Sequence, residues 1–257
     1  MREYLSSEER QDKIVTLLSQ KGRLSVAGIV GQFGVSQATA RRDLETLAEQ
    51  GKLHRVHGGA LSMKQAPPEL PILQRAQEQT SEKQRIGLAA AALVGDGDTI
   101  FLGSGTTVLE VARNLRSRQN LSVITNSLPV MNLLSGLPGI NLITLGGMLR
   151  LSELSFIGHI TEQSLAEVRA DKVFIGVHAI CLKNGLTNDY LPETMTDRAI
   201  LKAGNEVIVV ADHTKINAVA TAFLAPIDSI DALVTDNHSP ADFLGTLQEM
   251  GIKIYLA

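Results

Sequence analysis

The chain is poor in cysteine: Cys181 is the single one in 257 residues. No intrachain disulfide can form. No metal ligands cluster beside it, so Cys181 reads as an ordinary small apolar residue. Neither a metal site nor a cofactor is expected. Long apolar runs are missing too; none reaches the roughly 18 residues that a membrane-crossing helix needs. No basic, apolar and small-residue leader opens the sequence. These absences predict a cytoplasmic protein with no membrane partner. Strong charge of one sign is also absent: the net is -3, so the chain as a whole is not a polycation. No internal repeat is evident. What is present is 44% hydrophobic and 20% charged residues, enough for a real core. The length fits one large domain, or a small one plus a larger one.

The charge is unevenly spread. Residues 1–62 hold nine Lys/Arg and seven Asp/Glu, and the remainder holds fifteen and twenty. A small basic excess therefore sits at the front. An excess so small gives weak general affinity for a polyanion, so any specific contact there must rest on a few placed residues.

The informative stretch of that front part is Gly34 to Leu61, GVSQATARRDLETLAEQGKLHRVHGGAL. Gly34-Val35-Ser36 reads as a turn: Gly permits a left-handed backbone, and Ser36 is placed to cap the next helix. That helix is predicted from about Gln37 to about Gln50, with Gly51 as its stop. Ala38, Leu44, Leu47 and Ala48 are expected on its inward face. Gln37, Thr39, Arg41 and Arg42 crowd its first half, where a recognition helix touches base edges. Arg can grip guanine with two hydrogen bonds, Gln can do the same for adenine, and a Thr methyl can pack on thymine. Asp43 is expected to pair with one of the two arginines or with the preceding helix. The plainer reading is an amphipathic helix with a solvated Arg-Arg pair. The ordered succession of turn, helix and wing argues against it.

Around this stretch, Ser7 is placed to cap a first helix carrying Ile14, Leu17 and Leu18, ended by Gly22. Leu24-Ser25-Val26 opens a second helix to about Phe33, completing a helix-turn-helix. Lys52–Arg55 and Ala60–Ser62 are predicted wing strands with Gly58-Gly59 as the bend. His54, Arg55 and His57 are set to meet backbone phosphate or a minor groove.

The same residues carry a family resemblance. Val35, Ser36, Thr39, Arg41, Arg42, Asp43 and Leu44, then Arg55, His57, Gly58, Gly59 and Ala60 match the V-S-x-x-T-x-R-R-D-L core and R-x-H-G-G-A wing of the DeoR family of bacterial transcription regulators. The family commonly has Ile where this chain has Ala40. The resemblance implies a winged helix-turn-helix over residues 1–62; with the helix reading above, the expected DNA-contacting residues are Ser36, Gln37, Thr39, Arg41, Arg42, Arg55 and His57.

Residues 63–80 are rich in Gln, Glu and Pro, including Pro67-Pro68 and Pro71, and read as a linker. Ser81 to Leu93 reads as helical. From Asp98 onward short β-rich runs alternate with helical ones. The strands are predicted at Thr99–Leu102, Leu121–Thr125, Ile140–Leu145, Lys172–Gly176, Glu206–Ala211, Ala232–Thr235 and Lys253–Leu256. Such alternation argues for an α/β domain over 81–257, built on a mostly parallel sheet with helices on both faces.

In such sheets a ligand sits beyond the carboxyl ends of the strands. Ser104, Gly105, Thr106 and Thr107 follow the first run and lead into a helix, a setting that favours an anion. Asn126 follows the second run, Gly146-Gly147 the third, and Lys215 the fifth, while Asp189 and Glu193 lie on a polar loop and just past it. Hydroxyls, amides, carboxylates and a lysine suit a phosphorylated, hydroxyl-rich molecule. The Ser/Thr loop and Lys215 would take the phosphate, and Asn126, Asp189 and Glu193 the hydroxyls. For Gly146-Gly147 a plain strand-to-helix turn is an equal reading. A dinucleotide site fits less well: Val108 stands where a third glycine would be, and no acidic residue follows Thr125.

The resemblance continues through Gly105-Thr106-Thr107, Thr125-Asn126, Gly146-Gly147, Phe156-Ile157-Gly158 and Ala211-Asp212-x-Thr214-Lys215. It implies a sensor domain resembling ribose-5-phosphate isomerase and CoA-transferase-like folds, responsive to a phosphorylated sugar. Gly103 and Val177-His178-Ala179 depart from the family pattern, which bears on the ligand that fits. The expected function is thus a repressor of a carbohydrate-catabolism operon. Its partners would be a double-stranded DNA operator, a phosphorylated sugar effector and further copies of itself, as a homodimer or homotetramer. The alternative is a sugar-phosphate isomerase-like enzyme with an appended DNA-binding domain.

Overall fold

The computed structural model describes residues 5–56, 58–62 and 64–257. The chain forms two compact units, Met1–Gln65 and Ala66–Ala257. Among the described residues, no helix is long and apolar enough to cross a membrane.

The first unit runs α1 (Ser7–Lys21), β1 (Arg23–Ser25), α2 (Val26–Phe33), α3 (Gln37–Glu49), β2 (Leu53–Val56), β3 (Gly59–Ser62) and β4 (Lys64–Gln65). Ile14 and Leu18 of α1, Ile29 of α2, and Ala40, Leu44 and Leu47 of α3 close its core. The cap of α1 is Ser6, not Ser7. Its Oγ accepts from the Glu9 N–H at 3.2 Å, and the Glu9 carboxylate accepts from the Ser6 N–H at 2.9 Å. A glutamate three residues on selects this serine over its neighbour. Strand β1 was not anticipated. It pairs antiparallel with β3, which also pairs with β2, so the wing has three strands. Gly59 is fixed by that pairing: a Cβ there would lie 2.2 Å from the Leu24 carbonyl oxygen.

The second unit begins at Ala66, inside the stretch expected as a linker. The Ala66 N–H donates to the Val219 carbonyl at 2.9 Å and the Ile72 N–H to the Ser152 carbonyl at 2.8 Å. The Ile72 side chain is buried. Apolar burial and backbone hydrogen bonds thus hold residues 66–79 against the domain.

In chain order this unit contains α4 (Ile72–Arg75), α5 (Thr80–Ala91), β5 (Thr99–Leu102), α6 (Thr106–Arg113), β6 (Leu121–Thr125), α7 (Leu128–Leu134), β7 (Ile140–Thr144), β8 (Met148–Arg150), β9 (Ser155–Ile157), α8 (His159–Ala166), β10 (Ala170–Ile175), β11 (Ala179–Cys181), β12 (Gly185–Asn188), α9 (Leu191–Leu201), β13 (Gly204–Val210), β14 (Ala218–Val219), β15 (Ala222–Ala225), β16 (Ala232–Thr235), α10 (Ala241–Glu249) and β17 (Lys253–Leu256). Seven strands form one sheet in the order β17-β16-β13-β10-β5-β6-β7. Every pairing in it is parallel.

Alternation along the strands builds two cores. Phe101, Val173, Ile175, Val209 and Leu233 face one side and pack with Leu165 of α8, Ile200 of α9 and Phe243 of α10. Ile100, Leu102, Phe174, Ile208 and Val234 face the other and pack with Ile86 of α5, Val111 of α6 and Val130 of α7. Both faces of a parallel sheet are buried in this way because crossover helices cover them. A smaller antiparallel sheet, β11-β12-β15, and the hairpin β8-β9 were not read from the sequence. Cys181 is buried in β11, as expected for a small apolar residue.

Candidate DNA-reading head and ligand cleft

Helix α3 is capped as its sequence requires. The Ser36 Oγ accepts from the Thr39 N–H at 3.1 Å and lies 2.9 Å from the Thr39 hydroxyl. Ala40, Leu44 and Leu47 are the wholly buried apolar positions of α3. Ala38, expected inward, is exposed. The buried stripe passes through positions 40, 44 and 47, and residue 38 precedes it by about 200° of helix rotation. Gln37, Arg41 and Arg42 are exposed, and Thr39 is half-buried.

Asp43 resolves the question of its partner. Its Oδ2 accepts from Arg10 Nε at 2.6 Å and its Oδ1 from Arg10 Nη2 at 3.0 Å. Gln11 Nε2 adds a further bond at 3.2 Å. The partner is therefore α1, not either adjacent arginine. Among the described residues, no ion pair involves Arg41 or Arg42. Arg55 on β2 is half-buried, with Nη2 4.0 Å from Glu45 Oε1. His57 lies outside the described residues.

In the second unit the strand order reverses between β5 and β10, the geometry that leaves a crevice beyond the strand ends. A cleft opens there, with about 680 Å³ of empty space once the open solvent at its mouth is included. Ser104, Gly105, Thr106 and Thr107 line it from the β5 end and the first turn of α6. Val177 and His178 line it beyond β10, and Asp212, Thr214 and Lys215 beyond β13.

The sequence-predicted residues are only partly brought together. Ser104, Gly105, Thr106, Thr107, Glu193 and Lys215 line the cleft. Asn126 is fully buried behind it and donates to the Phe156 carbonyl at 3.0 Å. Gly146 and Gly147 serve a turn. The Gly146 carbonyl accepts from the Thr161 hydroxyl at 2.7 Å. At Gly147, φ is +148° and a Cβ would lie 2.1 Å from Thr161 Oγ1. Asp189 holds the chain beside the cleft, its Oδ2 accepting from the Glu69 N–H at 2.8 Å.

What sequence reasoning missed is a buried ionic cluster on one side of the cleft. Arg75 Nη1 is 2.8 Å from Glu69 Oε1, and its Nη2 donates to Glu153. Arg150 Nη1 donates to Glu193, and its Nη2 lies 3.6 Å from Glu69 Oε2. The Ser155 hydroxyl donates to Glu193 at 2.5 Å. His178, the departure noted in the sequence, turns Nε2 to the Pro67 carbonyl at 2.8 Å. Its buried Nδ1 stands 3.6 Å from Glu69 Oε1, with no hydrogen-bond partner among the described residues. Lys83 is buried and caps the turn before it, donating to the Arg75 and Glu78 carbonyls at 2.6 Å each. Two of these contributors, Glu69 and Arg75, come from residues 66–79, which a Pro- and Gln-rich composition disguises as a tether.

Burial sets the charges in this cluster. It pushes the Glu153 carboxyl up to about 7, against the pull of Arg75. It pushes Asp197 up to about 8, helped by the carboxylates of Glu153 and Glu69. For Glu69 burial also acts upward, but His178, Arg75 and Arg150 outweigh it and hold the carboxyl down at about 2. At neutral pH the cleft is thus less negative than its carboxylate count implies.

Comparison with known proteins agrees with this two-part architecture. Residues 10–66 match the DeoR-like helix-turn-helix domain and residues 78–237 match the DeoR C terminal sensor domain. The chain is 36% identical over 235 residues to the transcriptional repressor AccR of Agrobacterium fabrum, covering 91% of each chain. It is 33% identical over 252 residues to the glycerol-3-phosphate regulon repressor of Escherichia coli, covering 98% of this chain and 100% of that one. Among solved structures, ribose 5-phosphate isomerase A of Methanocaldococcus jannaschii is similar over 54% of this chain and 55% of its own, at 22% identity and a TM-score of 0.41. A helix-turn-helix head matched over residues 10–66 and a parallel-sheet sensor matched over residues 78–237 make this chain a member of the DeoR family of transcription regulators.

Proposed function

We propose that the protein is a ligand-controlled transcriptional repressor whose effector is a phosphorylated sugar. The observation that carries this reading is the Ser104-Gly105-Thr106-Thr107 loop. It opens a helix N-terminus into a cleft at the sheet's switch point, which Lys215 also lines. Backbone amides at a helix N-terminus, two threonine hydroxyls and an ammonium group together favour a phosphate. Glu193 and Asp189 would take hydroxyls. In the head, Ser36, Gln37, Thr39, Arg41 and Arg42 would meet bases and backbone in the major groove, with Arg55 and His57 on phosphate or in the minor groove. Two heads, in a homodimer or homotetramer, would read half-sites about 10 base pairs, or a multiple, apart.

The ligand must favour one state of the sensor to change anything. Residues 66–79 are the stretch through which the sensor is covalently joined to the head. Glu69 within them already occupies Arg75 and approaches Arg150. An incoming anion would compete with the Glu69 carboxylate for these two cations and so loosen that stretch. Helix α5 is a poorer moving part, because Ile86, Ala90 and Ala91 are buried in the core.

The test is calorimetric titration with a panel of phosphorylated sugars and their unphosphorylated counterparts, followed by operator binding with and without each binder. A phosphorylated sugar should bind and weaken operator binding. No binding by any member, or equal binding of both forms, would overturn the effector assignment. One observation favours an enzyme instead: Glu153 and Asp197 hold protons near neutrality at a cleft, a pattern common in acid-base catalysis. Turnover of the bound sugar phosphate would establish that reading.

A further inference from the structure

Beyond the cleft lining lies a cluster that the regulatory reading does not use. Strands β13 and β16 are neighbours. His213 follows the end of β13, Asp236 follows β16, and His238 comes two residues later. The Asp236 side chain is fully buried, and two backbone groups fix it. Its Oδ2 accepts from the His213 N–H at 2.8 Å and its Oδ1 from the His238 N–H at 2.9 Å.

Both imidazoles turn Nδ1 to the Asp236 carboxylate, and His213 Nδ1 also lies 3.1 Å from Oδ2. His213 Nδ1 lies 3.0 Å and His238 Nδ1 3.3 Å from Asp236 Oδ1. The two rings meet edge to face with centroids 5.2 Å apart, and the three ligand atoms lie within 4.8 Å of one another. The His238 side chain, 65% exposed, also turns toward the carboxylate. Ligands bonded at about 2.0–2.2 Å to one tetrahedral metal stand roughly 3.3 Å apart.

We propose that His213, Asp236 and His238 bind a divalent transition-metal ion of the zinc class, with water at the open coordination position. Two imidazoles and one carboxylate suit zinc, cobalt or nickel, whereas magnesium and calcium call for oxygen ligands. Holding His213 also fixes the turn that carries Lys215. The proposal stands apart from the identity of the effector, because its three ligands do not line the cleft.

The test uses the full chain without a histidine tag, stripped by a chelator. Zinc is titrated calorimetrically, and cobalt is added as a spectroscopic probe. The expected result is one ion per chain and the intense visible bands of tetrahedral cobalt. His238→Ala, at an exposed position, should weaken zinc at least about tenfold and remove those bands. Asp236→Asn should do the same, and His159→Ala on α8 should not. Absence of stoichiometric zinc binding, or equal affinity in His238→Ala, would overturn the assignment.

Discussion

Asp43 takes its hydrogen bonds from Arg10, thirty-three residues earlier, and not from the arginines beside it. The acid is buried and the guanidinium nearly so. Removing one partner of such a pair leaves an uncompensated charge, a loss of about 3 kcal/mol or more. Asp43→Ala should therefore lower the melting temperature of the head measurably. An unchanged melting curve would show that the pair is structurally idle.

Because Asp43 is engaged elsewhere, Arg41 and Arg42 stay exposed for a ligand. Arg41→Ala and Arg42→Ala should leave the melting curve unchanged. Each should cost about 1–3 kcal/mol in discrimination between operator and random duplex, if it grips a base. A gel-shift titration on both duplexes separates this from a phosphate contact, which would weaken both equally.

If Glu69 holds the place of a ligand anion, Glu69→Gln should free Arg75 and Arg150. We expect tighter binding of the effector, by about tenfold, and a smaller effect of effector on operator affinity. This follows from removing the competing state. Equal effector affinity in the variant would dismiss the competition.

The cleft carboxyls carry a pH signature. Glu153 and Asp197 keep protons up to about 7 and about 8 in the folded chain, while exposed carboxyls lose theirs near 4. The folded state therefore binds more protons across that window. Their contribution to stability is complete below about 4 and is lost as pH rises through about 7 to 8. Glu69 acts in the opposite sense, contributing above about 4 and failing as pH falls toward 2. Thermal melting of the chain should show a fall of several degrees between about pH 5 and 9, flattened in Glu153→Gln. Anion binding should weaken over the same rise.

Gly147→Ala should destabilise the sensor by about 1–3 kcal/mol, since its φ is strained and its Cβ meets the Thr161 hydroxyl and the Ile157 carbonyl oxygen. Adding Thr161→Ala should recover part of the loss. Recovery of all of it would mean that neither backbone strain nor the Ile157 carbonyl contributes.

These cases show what a sequence displays. The strands Thr99–Leu102 and Ala232–Thr235 were legible to the residue, because a β-rich run between turns is a local signal. Helix α3 was legible through its cap. Ala38 was misplaced because alanine declares no side. Arg150 and Glu153 were invisible because each acquires meaning from partners dozens of residues away, and Arg75 because its pairing with Glu69 is joined by Glu153 far down the chain. The same holds for His213 and His238, which meet only when two strand ends lie side by side. Asn126 donates to the Phe156 carbonyl and Gly147 sits against Thr161, and neither lines the cleft.

The strand order has a consequence for how the molecule comes into being. Ile100 on β5 faces Lys172 on β10, so the wall of the cleft waits on a neighbour seventy-two residues downstream. The head closes its own core within its first sixty-two residues. During synthesis, a module able to reach DNA is complete long before the part that governs it, and a chain cut short in between would be a reader with no one to instruct it.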